Sequence, residues 1–135
     1  MTLVEVVVAL AIAGLMVGGI VAGYFYCSAA TAKDALYMAA NARVMERMEA
    51  VRSAQWDTSS YPPVDQLAAT NFPDVVVTLD QPVAGPVTTS ATLKTYISQI
   101  SVAPPLRRIH VDCIWQFNGA GLVTNSIETC RAPDQ

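Results

Sequence analysis

Between Val6 and Ala32 the chain carries no charged side chain, and from Val6 to Tyr26 almost every position is apolar. Few folded destinations accept such a run. About 20 apolar residues rising 1.5 Å each span the ~30 Å hydrocarbon layer of a bilayer, so the segment qualifies as a transmembrane helix. Tyr24, Phe25 and Tyr26 stand where an aromatic belt meets the headgroups, and Lys33 and Asp34 mark the return to water. A secretory signal peptide would offer only ~7 to 15 apolar residues behind a basic start. Here the run is longer and no Lys or Arg precedes it.

The charge distribution sharpens this contrast. Charged residues make up 14% of the 135-residue chain, against about 25% in soluble domains, and seven of the nineteen fall between Lys33 and Arg52. One segment belongs in lipid or protein, and the rest belongs in water. The length suits a single domain organised in three stretches: an apolar half-helix over 1–32, an amphipathic half over 33–54 and a globular part over 55–135. A net charge of −3 gives no general attraction to nucleic acid, and Arg107 with Arg108 is too small a basic patch, so no specific nucleic-acid partner is expected.

Glu5 sits at the head of the apolar run, where a carboxylate costs several kcal/mol unless it has a partner or a function. Within one straight helix it reaches the amine of its own Met1 awkwardly. A neighbouring copy shifted along the axis offers its amine directly, so Glu5 is expected to neutralise Met1 of another subunit. The competing reading leaves Glu5 in the headgroup region, favoured by the positive end of the helix dipole. Gly14 with Gly18 and Gly19 with Gly23 form two small-xxx-small pairs that let helices approach closely. The same four glycines weaken the helix locally and mark where it can unwind if neighbours cover its backbone.

Beyond residue 32 the helix is expected to continue. Tyr37, Ala40, Val44, Met48 and Val51 recur every three or four residues while charges occupy the other faces, and no Pro or Gly interrupts Lys33 to Arg52. The predicted helix runs from about residue 2 to 54. Residues 57–73 lack periodicity and read as loop. Four strands follow, over Val75–Leu79, Thr95–Val102, Ile109–Phe117 and Leu122–Cys130, with Asn118-Gly-Ala-Gly121 as a hairpin turn. In the third, Ile109, Val111, Cys113, Trp115 and Phe117 face one way, toward Tyr37, Val44, Met48 and Val51, and Ile114 on the other side suggests a second packed surface. The predicted fold class is therefore α+β, a long N-terminal helix against a small antiparallel sheet.

Cys27, Cys113 and Cys130 have no metal-ligand spacing. If the C-terminal part is exported, Cys113 and Cys130 are the natural disulfide. Simple hairpin pairing places Ser126 opposite Cys113, so that bridge needs a displaced loop or a bulge. Cys27 reads as a free buried thiol. No metal or cofactor is expected, and His110 with Asp112 lacks the remaining members of a catalytic site, so the chain does not read as an enzyme.

Thr2-Leu-Val-Glu5 with the apolar run that follows, and Val4-Glu-Val-Val-Val-Ala-Leu-Ala-Ile-Ala13 in particular, resembles the processed N-terminus of type IV pilins and type II secretion pseudopilins, closest to their minor-subunit variants. Ala42-Arg-Val-Met-Glu-Arg-Met48, Val111-Asp-Cys-Ile-Trp115 and Ile127-Glu-Thr-Cys-Arg-Ala-Pro133 are similar to the same branch, and the resemblance is weakest over 57–105. It implies a prepilin peptidase that removes a basic leader and N-methylates Met1. It also implies an assembly ATPase with an inner-membrane platform, and a homo-oligomeric helical filament that leaves the membrane on assembly. Glu5 takes the place of the family's charge-pairing glutamate. Two departures stand out: Met1 replaces the commoner Phe, and Ala22 stands where many pilins have a mid-helix proline. The functions implied are a pilus subunit or, alternatively, a secretion pseudopilin. The rival from another class is a membrane-anchored ligand-binding protein that does not polymerise.

Overall fold

The structure, a computed structural model, describes residues 2–80, 88–117 and 121–134. It is α+β, with one N-terminal helix, α1 (Leu3–Arg52), packed through its C-terminal part against a small antiparallel sheet. The chain divides into two units, Met1–Ala35 and Leu36–Gln135. The division falls beside Lys33 and Asp34, where charge first returns to the helix.

After α1 come two short paired strands, β1 (Trp56–Asp57) and β2 (Val64–Asp65), and a single 3-10 turn at Ala69–Asn71. Residues 57–73, expected as loop, thus contain a little regular structure. The main sheet is an antiparallel meander of β3 (Val75–Asp80), β4 (Thr89–Val102), β5 (Pro105–Phe117) and β6 (Gly121–Arg131), in that order. All four strands lie where the β-rich runs predict them. β4 starts earlier because Thr89–Leu93 pairs with β3 and Ala91–Lys94 with β5, although its own hydrophobic signal is weak, and β5 starts earlier because Pro105–Arg108 pairs with the end of β4. The turn expected at 118–121 lies outside the described residues except for Gly121, whose φ of 76° is accessible to Gly without strain.

The alternation read in β5 is the organising feature of the core. Ile109, Val111, Cys113 and Trp115 are at most 1% exposed, and Ile97, Thr95, Leu93 and Ala91 stand opposite them on β4. Onto this face α1 lowers Ala40, Val44, Met48 and Val51, a stripe at spacings of four, four and three. Each large side chain buried here contributes about 1.5 to 3 kcal/mol. Tyr37, expected in the stripe, is instead 46% exposed, because the buried stripe runs through Ala40. Ile114 is half-buried between Thr92 and Thr124 on the outward face, and no second layer covers it among the described residues.

Polar contacts lock the helix onto the sheet. Asn125, 2% exposed, accepts the Trp115 indole N–H at 2.9 Å and donates to Asn41 Oδ1 at 2.9 Å. Nothing local stops the helix, since Ser53-Ala54-Gln55 contains no Gly or Pro. Its end is set by Arg131, whose guanidinium donates to the carbonyls of Val51 at 3.1 Å and Ala54 at 2.6 Å, satisfying groups that a helix C-terminus leaves unpaired. Arg107 grips Asp65 with both terminal nitrogens at 2.7 Å and lies 4.4 Å over the Trp56 ring, tying β2 and the helix exit to β5.

The expected Cys113–Cys130 bridge does not form; both thiols are free. Cys113 pairs with Asn125 and Cys130 with Arg108. Arg108 is five residues from Cys113 along β5, an odd number, so the two sulfurs point to opposite faces and lie roughly 16 Å apart along the strand. Cys113 is buried, and desolvation raises its pKa. Cys27 is free, as expected, but exposed rather than buried.

Two outcomes test this architecture. Asn125→Ala strands the buried Trp115 indole N–H and is expected to cost about 1 to 3 kcal/mol in urea unfolding of the full chain in micelles, with a red-shifted tryptophan emission. A loss no larger than that of a surface substitution would contradict the network. The Arg107 hydrogen bonds, aided by its charge, hold the Asp65 carboxyl below its ordinary 3.8 against an opposing desolvation. The folded state then binds this proton more weakly than the unfolded one, so the stabilisation is present above the ordinary value and is lost as pH falls through the depressed one. The Tm should drop between about pH 5 and pH 3, with a shallower slope in Asp65→Asn; Asp65 is partly exposed, which keeps the effect modest.

Candidate assembly interface

The first turn of α1 is closed by a reciprocal pair. The Thr2 backbone N–H donates to Glu5 Oε2 at 2.8 Å, and the Glu5 N–H faces Thr2 Oγ1 at 3.4 Å and Thr2 C=O at 3.1 Å. This is a capping box, in which two orphan donors of a helix start are satisfied at once. Sequence reasoning gave Glu5 an intermolecular partner and overlooked Thr2, although the Thr-x-x-Glu spacing is a readable signal. The pairing expected with Met1 falls on a residue outside the described ones. One bond to Thr2 leaves further acceptor sites on the carboxylate, so capping and pairing to a second chain are compatible.

From Leu3 to Phe25 the large apolar side chains are exposed, Leu3 at 83% and Leu15 at 78% among them, and the helix is long and apolar enough to cross a membrane. Its composition is compatible with membrane anchoring. At Gly14, Gly18, Gly19 and Gly23 an added Cβ would meet nothing within 4 Å. At about 100° per residue the Gly14/Gly18 and Gly19/Gly23 pairs lie roughly 140° apart around the axis, so close approach is open on two sides. α1 is continuous through all four glycines, with no melted turn.

The outward face of the main sheet carries a different chemistry. His110 Nε2 lies 2.8 Å from Asp112 and Nδ1 3.5 Å from Glu128, which in turn pairs with Arg108 at 3.2 Å. These are cross-strand and same-strand neighbours, with Arg108 and Glu128 exposed and His110 and Asp112 half-buried, and the exposed Arg108–Glu128 pair is worth a few tenths of a kcal/mol to about 1 kcal/mol. Among the described residues no three His, Cys, Asp or Glu side chains gather as a metal site requires. Comparison with known proteins finds no matching family model, no matching curated protein and no matching solved structure.

The capping box predicts that Thr2→Val, which removes the side-chain acceptor, loosens the first turn by about 1 kcal/mol. Hydrogen exchange at the Glu5 and Val6 amides in micelles should then accelerate about fivefold, whereas Thr2→Ser should leave it unchanged. Equal rates in all three proteins would show that Thr2 does not cap the helix.

Proposed function

We propose that this chain is a structural subunit of an extracellular type IV pilus-like filament, held in the inner membrane before assembly and polymerised through its N-terminal helix. The observation that carries the reading is the half-helix that begins at Leu3. Its apolar side chains are exposed, its surface is open to close helix approach on two sides, and its one charge is Glu5 at the head. A surface of this kind needs lipid or other helices around it. Copies staggered along a common axis supply those helices, and each brings its amino terminus toward a neighbour's Glu5.

The globular unit fits a building block. Its core forms between α1, β4 and β5, and its outward sheet face carries paired charges. Processing and N-methylation at Met1, a prepilin peptidase, an assembly ATPase and its membrane platform belong to the same proposal. A secretion pseudopilin would share this subunit plan and differ in abundance, with traces at an envelope-bound tip in place of shed fibres.

The decisive comparison is Glu5→Ala against the wild type in cells. The variant is expected to reach the membrane at normal levels and yield no filaments in sheared fractions viewed by electron microscopy, while Glu5→Asp restores some. Filaments of unchanged abundance and length in Glu5→Ala would overturn the reading.

A further inference from the structure

The sheet has an edge that its own residues leave unfinished. Among the described residues β3 pairs on one side only, with β4, so alternate backbone groups of Val75–Thr78 face outward without a ladder partner. Edge strands are commonly blunted by Lys, Pro or a bulge. Here the bulge lies at the far end, between Thr78 and Asp80, and Val75-Val-Val-Thr78 contains neither Lys nor Pro. Val76 on the outward face is 70% exposed, and even Val75 on the inward face is 39% exposed.

Beside this edge lies a groove of about 210 Å³ between α1 and the sheet. Ala50, Val75, Val77 and Leu93 form its apolar floor, and Arg43, Glu46 and Arg47 its rim. A cavity of about 150 Å³ holds a benzene ring, so this one admits a single large apolar side chain. The rim is not electrically balanced. Arg43 pairs with Glu46 at 2.8 Å, whereas Arg47 donates to Thr95 Oγ1 and the Pro73 carbonyl, lies over the Phe72 ring, and has no carboxylate partner among the described residues.

We propose that this edge and groove form a docking site for an extended acidic peptide from a partner protein, added to β3 as a fifth strand. Backbone hydrogen bonds to Val75–Thr78 supply the pairing. A large apolar side chain enters the groove, and a carboxylate two residues away, on the same face by strand alternation, reaches Arg47. An acidic partner supplies the carboxylate that Arg47 lacks among the described residues. The site lies wholly within Leu36–Gln135, and it stands or falls independently of filament assembly.

The test uses the full chain in dodecylmaltoside micelles and a blocked, fluorescein-labelled peptide, Thr-Val-Phe-Thr-Glu-Thr-Val, followed by fluorescence anisotropy. Saturable binding is expected, weakened at least about tenfold when the peptide's Glu is Lys or its Phe is Ser. Ala50→Glu places a carboxylate and extra bulk in the groove on an exposed helix position that tolerates Glu, so it should abolish binding while circular dichroism stays unchanged. Ala50→Lys, which fills the groove but keeps its positive sign, should bind the Phe-to-Ser peptide no worse than wild type does. Equal binding of all the peptides, or binding that survives Ala50→Glu, would overturn the proposal. So would self-association of the unassembled chain that Ala50→Glu removes, since the occupant would then be a second copy.

Discussion

A polypeptide segment without charge and almost without polar side chains must satisfy its own backbone wherever water is scarce. For residues 3–32 the helix does this at every position but the ends. The C-terminal carbonyls of that stretch pass into the continuing helix, so one end needs no cap at all. The other end is the N-terminal turn, and there Thr2 and Glu5 close two donors against each other. Glu5 therefore has a structural role before any second chain is considered. In the proposed filament it would serve twice, as cap and as counter-charge.

The continuing helix changes character within a few residues. Once Lys33 and Asp34 are passed, burial returns as a narrow stripe, and the sheet gives that stripe one continuous partner in the inward residues of β5. Three arginines then complete what apolar packing leaves open. Arg131 caps the helix end, Arg107 holds β2 and Trp56, and Arg47 reaches across to β4 and the Pro73 carbonyl. Two of the three have a carboxylate of their own, Asp134 for Arg131 and Asp65 for Arg107. Arg47 is the exception among the described residues, and its unbalanced charge lies beside β3, one of the two edge strands of the sheet. Core, clamps and groove thus follow from how far the helix stripe reaches across the sheet: it covers β4 and β5 well and leaves β3 half exposed.

Much of this was legible in the residues. The apolar run, the amphipathic continuation and the four strands could each be read from a repeat that concerns near neighbours only, with periods of 3.6 or 2. Glu5 was legible as a residue that needs a partner, and the cap partner was legible too, in the threonine three residues before it. The candidate interface was readable for the same reason, since an uncharged surface with paired glycines declares itself in composition and spacing alone.

The contacts between distant residues were decided by the tertiary structure. Helix termination depends on Arg131, about 80 residues away, and no local breaker announces it. The fate of Cys113 and Cys130 depends on strand register, which sets both distance and face, and a register displaced by one residue would have turned either thiol around. Whether Tyr37 or Ala40 faces the sheet depends on where the sheet begins, and the open edge of β3 depends on strand order. By itself, then, the sequence determined which segments are helix, strand and apolar surface, because those follow from the periodicity of neighbours along the chain. Which side chains meet, and which backbone groups stay unpaired, was decided only when segments far apart in sequence packed against each other.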